Sequence, residues 1–462
     1  MTNAPAKASS KVSGGWVLGL TSLGFFMAMM DSMIVTTAST AIREDFDVSV
    51  AQLQWTLNAY NVSIAAFLLI GVAIGNRIGH RRLYTLGLLV FVIGSAACAL
   101  APNLGILIAA RILQGIGASV MTPMSMAILS SAFPPERRGK ALGVWSGVGG
   151  LALIIGPALG GVIVSQLTWQ WIFWINIPIG LIVIVLSRRK LPESAFGGKL
   201  PDALDSVLVV AASGGIVWAL SESVTPGDHV PALIVGVASV LLAVAFILRQ
   251  RSSAAPMIPL SLFRSSAFSG GAIGTFVLYA AMYGVVFFLP QYLQAVTGAD
   301  ALTAGLEMLP WTAMLVLLAP LAGSAVDRYG ERPVAVVSLL LQTIGYVWIA
   351  LVSAPGVSYW AMVAPLVVSG AGISMAGPAL QKAVLGAVSP AQTGIASGVF
   401  NTFRQLGGAV GTSIAVILFS TFGGTGSSSA FAAGFTAALV GSAILAFIGG
   451  VSAMSLRQST KA

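Results

Sequence analysis

Long apolar runs alternate with short polar connectors along almost the whole chain. Each run is long enough to cross a membrane, since about 20 residues span the hydrocarbon core. We count about fourteen such segments, and we number them in chain order: 15–41, 51–74, 83–101, 104–130, 140–165, 171–187, 205–222, 231–248, 268–292, 303–325, 333–353, 359–383, 394–419 and 429–454. The pattern predicts an all-α polytopic membrane protein, because a helix satisfies its own backbone hydrogen bonds in lipid.

Composition supports this prediction. Of the 462 residues, 57% are hydrophobic and only 8% are charged, whereas soluble domains carry about 25% charged residues. The chain has too little polar surface for a globular protein in water.

The distribution of Lys and Arg predicts the topology. Of the 23 such residues, all but three fall in the tails or in loops on one side. Arg43 lies on the opposite side, and Arg111 and Arg404 lie inside segments 4 and 13. This bias places both termini in the cytoplasm. The net charge of +9 therefore reflects a multi-pass protein of the cytoplasmic (inner) membrane, and we expect no nucleic-acid partner.

Residues typical of metal or catalytic sites are scarce. Cys98 is the only cysteine, and His80 and His229 both fall in loops. Paired acids and Cys/His groupings do not occur within the segments, and no phosphate-binding loop follows a strand pattern. We therefore expect no metal or cofactor and no enzyme activity.

Two similar loops suggest an internal repeat. Segments 2 and 10 are each followed by a glycine-bearing turn with clustered Arg, 75–82 and 323–332. The positions of interest are Asn76, Arg77, Gly79 and Arg81 in the first loop and Asp327, Arg328, Gly330 and Arg332 in the second. Parallel repeats of this kind are known in transporters.

The repeat predicts a division of the chain. Residues 1–14 read as a disordered cytoplasmic tail, and 15–190 as an N-terminal six-helix bundle. Residues 191–265 form an inserted helix pair, segments 7 and 8, with proline-containing linkers. Residues 266–462 form a C-terminal six-helix bundle.

Asp31 is the most informative single residue, because it is the one charge in segment 1. An acid at the centre of a spanning helix costs roughly 2.5–3.5 kcal/mol on insertion scales and usually marks ion or proton handling. The alternative is that Asp31 only cross-links helices by hydrogen bonds.

Arg111 lies too deep in segment 4 to be a loop cation, and Asp31 is the only acid near the same depth. A permanent contact with Arg111 would keep Asp31 ionised, whereas a desolvated Asp31 without a cation would bind a proton near neutral pH. We expect Asp31 to exchange Arg111 for a proton or a cationic substrate.

Other polar residues within segments are further candidates. Glu307 is either a second proton or cation site near the outer vestibule or an acid that reaches water. Arg404 binds an acidic substrate group or packs against carbonyls. The predicted substrate cavity comprises Asn58, Asn61, Gln114, Tyr283, Trp311 and Arg404.

Segment 5 carries a glycine stripe, Gly149, Gly156, Gly160 and Gly161, interrupted by Pro157. Small residues let helix backbones approach closely, and a proline bends a helix. The stripe predicts a kinked helix interface that seals or rocks, with ordinary small-residue packing as the alternative.

These motifs resemble the major facilitator superfamily. The loop 323–332 is similar to its signature Gly-x-x-x-Asp-Arg-x-Gly-Arg-Arg, in which the Asp is taken to latch the cytoplasmic side closed. Asn76 replaces that Asp in the first copy, so its latch would be a neutral hydrogen bond. The run 111–117 resembles the motif linked to proton coupling, and 147–161 resembles the antiporter motif.

The fourteen-span drug:proton antiporter branch is the nearest resemblance. It rests on 31–36, 171–180, 289–294 and 305–310, although Gln170 stands where an Arg is common. The resemblance implies two six-helix bundles with two extra helices between them. It also implies proton-coupled export of drugs, antibiotics or other amphipathic compounds by alternating access.

Two alternatives remain within transport: a narrow metabolite exporter and an uncoupled facilitator. An intramembrane enzyme, a receptor and a scaffold are the readings from other classes. We expect protons, a small amphipathic substrate of cationic character and the lipid bilayer as partners, and a monomer as the working unit.

Overall fold

The computed structural model describes residues 13–193, 202–223, 229–253, 256–389 and 392–456. The predicted tail lies outside these residues except for its last two positions, and Gly14 already belongs to the first helix. Parts of both predicted linkers, 194–201 and 254–255, also lie outside them.

The described residues form helices throughout, with no strand among them. In the described parts of the chain, thirteen helices are long and apolar enough to cross a membrane, and one bent helix pair brings the count to fourteen. We keep each segment's number for its span. The spans are Gly14–Phe46, Val50–Ile78, His80–Ala99, Leu104–Ala132, Pro135–Gln166, Trp171–Lys190, Ala203–Glu222, Val230–Ser252, Ser266–Ala295, the pair Leu309–Leu317 and Ala319–Tyr329, Glu331–Val352, Trp360–Gly386, Thr393–Phe422 and Ser428–Ala453.

Span 10 differs from the continuous segment that hydrophobicity predicts. A short helix, Ala301–Glu307, precedes it, and the two helices of the span are bent by 54°. Each of these two helices has a proline in its first turn. A proline lacks the backbone N–H of a continuous helix, so the chain restarts at each one.

The two six-helix halves repeat the same packing. Span 1 packs along span 5 and span 3 along span 4, while span 9 packs along span 13 and span 11 along span 12. Glycines set the close approach in both halves. A Cβ on Gly94 would lie 2.7 Å from the Gln114 nitrogen, and one on Gly345 would lie 2.6 Å from the Ser369 nitrogen.

Spans 7 and 8 pack against each other at the edge of this arrangement. Span 7 also contacts spans 2 and 13, where the Ser221 and Ser413 hydroxyls are 3.3 Å apart. Span 8 is the least buried of the spans. Its apolar surface therefore faces lipid.

The short helix Ala301–Glu307 contacts span 5 towards the outer side. A Cβ on Gly161 would be 2.8 Å from Leu302 Cα, and one on Gly305 would be 2.5 Å from the Pro157 oxygen. Nearer the cytoplasm, Gly143 and Gly323 have open space where a Cβ would meet no atom within 4 Å.

Candidate functional site

Asp31 and Arg111 form an ion pair in the interior of the N-terminal half. Asp31 lies near the middle of span 1, and Arg111 lies in span 4. Both side chains have no exposed surface. The pairing expected from the sequence is therefore present, while the proton-coupling roles of Asp31, Arg111 and Glu307 remain predictions.

Four groups hold the Arg111 guanidinium in place. Its Nε donates to the backbone oxygen of Thr56 at 2.8 Å. Its Nη1 donates both to Gln114 Oε1, at 2.7 Å, and to Asp31 Oδ2. The Tyr60 ring lies 4.3 Å from the Arg111 Cζ. Such a cation–π contact adds to the ion pair in a desolvated site.

Two amides bind the other oxygen of the carboxylate. Gln114 Nε2 donates to Asp31 Oδ1 at 2.7 Å, and Asn176 Nδ2 donates to the same oxygen at 3.1 Å. Both amides also reach the Ser95 hydroxyl, which donates to the Phe173 oxygen at 2.9 Å. Spans 1, 2, 3, 4 and 6 thus meet in one polar cluster.

All the neighbours of the Asp31 carboxylate in the cluster are hydrogen-bond donors. One charge-assisted bond and two amide bonds compensate for burial, as a buried charge requires. The cluster therefore joins span 1 to spans 4 and 6 through the Asp31 carboxylate.

Sequence reasoning missed three members of the cluster: Ser95, Cys98 and Asn176. Cys98 donates its thiol hydrogen to Gln114 Oε1 at 3.6 Å. Asn176 begins the helix Asn176–Lys190, just after the break at Ile175 that divides span 6. The sequence offered only a weak signal for Asn176, an amide within an apolar run.

The predicted cavity residues do not form a single open surface. Gln114 belongs to the Asp31 cluster and has no exposed area, and its role as a cavity residue stays a prediction. Trp311 is 1% exposed and Tyr283 is 6% exposed. Both are packed side chains here rather than open walls.

Asn58 and Asn61 instead lie at the junction of the two halves. Asn58 Nδ2 donates to the Ser413 hydroxyl at 3.1 Å, and Gln405 Nε2 donates to Asn61 Oδ1 at 3.5 Å. These bonds join span 2 to span 13. The sixth cavity residue, Arg404, is partly exposed, with its Cζ 5.7 Å from the centre of the Tyr279 ring.

Glu307 lines a pocket of about 700 Å³ on the outer side. The Tyr359 hydroxyl donates to the Glu307 backbone oxygen at 2.9 Å. Burial, with a smaller effect of the Glu307 charge, raises the pKa of Tyr359 to about 12. The role of Glu307 as a proton or cation site stays a prediction.

The glycines of the antiporter motif remove side chains at the contact of span 5 with span 1. A Cβ on Gly156 would lie 2.9 Å from Met33 Cβ, and one on Gly160 would lie 2.9 Å from the Ile34 oxygen. A Cβ on Gly149 would overlap the Phe25 ring. Beside them, the Thr37 hydroxyl donates to the Pro157 oxygen at 3.3 Å.

The two cytoplasmic loops use different carboxylates. In the first loop, Glu193 accepts from the Arg81 backbone nitrogen at 3.1 Å and lies 3.3 Å from Arg81 Nε. Asn76 Oδ1 and His80 Nε2 are 3.0 Å apart. Gly79 turns the chain with a φ of 105°, and Arg77 is exposed.

In the second loop the acids belong to the loop itself. Lys382 Nζ lies 2.6 Å from Asp327 Oδ1 and 3.8 Å from Glu331 Oε1. Gly330 makes the turn with a φ of 87°. Arg328 lies over the Tyr329 ring, and Arg332 is exposed.

Across the described ranges, His, Cys, Asp and Glu nowhere gather in threes that could hold a metal ion. The Asp31 cluster is a group of buried polar side chains joined by hydrogen bonds, and it is the candidate functional site of the protein.

Comparisons with known proteins match this chain to one protein family. The family model of the Major Facilitator Superfamily matches residues 20–412 and 271–461. The methylenomycin A resistance protein of Bacillus subtilis is 32% identical over 89% of this chain and 88% of its own length. The riboflavin transporter of Clostridioides difficile is 33% identical over 88% of this chain and 87% of its own.

A third relative and one solved structure extend the likeness. The tetracenomycin C resistance and export protein of Streptomyces glaucescens is 31% identical over 86% of this chain and 74% of its own length. The inward-facing structure of a bacterial homolog of the human lysosomal transporter Spinster has a TM-score of 0.71 and 17% identity, covering 98% of this chain and 100% of that chain. This likeness shows that the two proteins share the fold.

Proposed function

Because this chain belongs to the major facilitator superfamily, we propose that it exports drugs, antibiotics or other amphipathic compounds by proton-coupled alternating access. The chain is a multi-pass membrane transporter similar to antibiotic-resistance proteins. Proton coupling, antiport and the cytoplasmic membrane as location are the parts that we propose.

The observation that carries the proposal is the enclosed pair of Asp31 and Arg111. An ionisable pair at mid-membrane depth is costly, and such pairs mark ion or proton pathways. In the proposed cycle, the inward-facing state holds Asp31 ionised through Arg111. Rearrangement of span 1 against span 5 then parts the two side chains and lets Asp31 bind a proton from outside.

The driving force is sufficient for export. One proton that enters down a membrane potential of 100 mV supplies about 2.3 kcal/mol. A factor of ten in concentration corresponds to about 1.4 kcal/mol, so one proton can sustain roughly 50-fold accumulation.

A toxicity panel in an efflux-deficient bacterial host tests the proposal. Cells expressing the wild type should survive higher doses of some compounds in the panel, whereas Asp31→Asn should lose this protection. Asp47→Asn is the matched control, because Asp47 is an exposed acid at the C-terminal cap of the same helix. Full protection by Asp31→Asn, at equal expression, would contradict the proposed role.

The likeness to a riboflavin transporter favours a second candidate, a narrow metabolite transporter or an uncoupled facilitator. Flux of several lipophilic compounds with and without an imposed pH gradient separates the two. A broad, gradient-dependent flux supports the exporter, whereas a single compound that moves without a gradient supports the facilitator.

A further inference from the structure

Arg404 is a cation placed deep in the membrane, and no carboxylate of the described residues forms an ion pair with it. It lies roughly eleven residues from Thr393, where span 13 begins at the cytoplasmic side. At 1.5 Å per residue this is a depth of about 16 Å, near the midpoint of a hydrocarbon core about 30 Å thick.

The two arginines within the spans differ in their burial and in their ion pairing. Arg111 is enclosed and paired with Asp31, whereas Arg404 makes no ion pair with any carboxylate in the described part of the chain. Its closest ring contact is Tyr279, and it interacts electrostatically with Tyr60 and Tyr283. The Arg404 side chain is partly exposed.

An arginine at this depth faces water or protein and pairs with an anion. The carboxylate nearest in depth, Asp31, already accepts from Arg111, Gln114 and Asn176. A cationic substrate would have to displace Arg111 to reach it. The charge left available to a ligand is therefore positive, and it is a planar guanidinium that suits a carboxylate or phosphate.

An aromatic ring lies beside this guanidinium: the centre of the Tyr279 ring is 5.7 Å from Arg404 Cζ. Tyr283, on the same span 9, has its ring centre 6.4 Å from that of Tyr279. Gln405, the residue after Arg404, reaches Asn61 in the other half. The site thus combines one cation, an apolar aromatic wall and neutral hydrogen-bonding groups at the junction of the halves.

We propose that Arg404 binds the anionic group of the substrate, and that the substrates are amphipathic aromatic acids rather than lipophilic cations. This inference rests on the proposed export function, whose substrate class it names. It replaces the cationic substrate expected from Asp31 alone.

Binding of two pyrene probes to the purified protein tests the inference. Pyrenebutyrate and pyrenebutylamine share one fluorescent skeleton and differ in the sign of their charge. Fluorescence anisotropy should show that the wild type binds pyrenebutyrate at least tenfold more tightly than the amine. Arg404→Gln should lose at least tenfold of the pyrenebutyrate affinity, and Arg404→Lys should keep most of it.

Arg264→Gln is the matched control, because Arg264 is exposed in the turn before span 9. It removes the same charge and should leave both affinities unchanged. Equal binding of the two probes by the wild type, or unchanged pyrenebutyrate binding in Arg404→Gln, would overturn the inference. The wild-type preference decides the question even if Arg404→Gln does not fold. Because the assay measures binding alone, its outcome is independent of whether transport is proton-coupled.

Discussion

The amide of Asn176 has only half of its hydrogen-bonding capacity in use. Its Nδ2 donates to Asp31 and Ser95, while its buried Oδ1 has no partner among the described residues. Gln114 differs, because its Oε1 is held by Arg111. Of the two amides, Asn176 is therefore the one that can turn over without breaking a bond to Arg111.

Replacing Asn176 should change how readily Asp31 binds a proton. Asn176→Leu removes a hydrogen bond to an ionised acceptor, and such bonds contribute about 1.5–3 kcal/mol. We expect the pH midpoint of substrate-induced proton release to rise by about one unit, because the ionised form loses a donor. A pH titration of proton release by the purified protein measures this shift.

Ser187→Ala is the control for this prediction. Ser187 is also fully buried in the helix Asn176–Lys190, but it makes no contact with Asp31. The pH midpoint of proton release in Ser187→Ala should equal that of the wild type. If Asn176→Leu also keeps the wild-type pH midpoint of proton release, the contact between Asn176 and Asp31 does not affect proton binding.

The sequence predicted the charged members of the cluster but not the neutral ones. Asp31 and Arg111 stand out because each is an isolated charge in an apolar run. Asn176 and Ser95 do not stand out, because uncharged polar residues are common within spans and only the three-dimensional packing of spans 3 and 6 brings them to Asp31. Arg404 was recognised, but its lack of a carboxylate partner required the structure.

Among the elements, span 5 shows most clearly how a sequence pattern becomes a contact. Gly161 has no room for a side chain, because the backbone at Leu302 of the short helix Ala301–Glu307 lies against it. Gly305 meets the Pro157 carbonyl in the same contact. Close backbone packing therefore seals the outer side between the two halves.

Gly161→Ala should weaken that seal and favour the outward-facing state. Overpacking of a close contact costs about 1–3 kcal/mol, which corresponds to at least about fivefold in the equilibrium between states. Gly143→Ala is the control, since a Cβ there meets open space.

Spin labels at Gln166 and Leu306 measure this effect, because both side chains are exposed at the outer ends of the two elements. The buried Cys98 should remain unlabelled. The distance distribution should gain a longer population in Gly161→Ala and not in Gly143→Ala. Identical distributions in both variants would show that the glycine contact does not set the state.

The helix boundaries around span 10 could not be predicted from hydrophobicity. The apolar run 303–325 reads as one segment, yet the chain forms three helices between Ala301 and Tyr329. Prolines in the first turns of the last two helices are visible in the sequence. Whether a proline kinks a helix or ends it depends on tertiary packing, which the sequence does not display.

At the scale of the whole molecule, the count of fourteen spans was predictable because membrane thickness fixes the length of each apolar run. The two halves were predictable from their repeated loops, and their packing repeats as well. The division into domains and the monomeric state stay predictions.

The central claim is that charge exchange at Asp31 couples proton entry to export. Its most direct test is proton movement into proteoliposomes when an exported compound, identified by the toxicity panel, is applied against a pH gradient. We predict substrate-dependent proton movement for the wild type and for Asp47→Asn, and none for Asp31→Asn. Substrate flux without any proton movement in the wild type, or unchanged proton movement in Asp31→Asn, would contradict the claim.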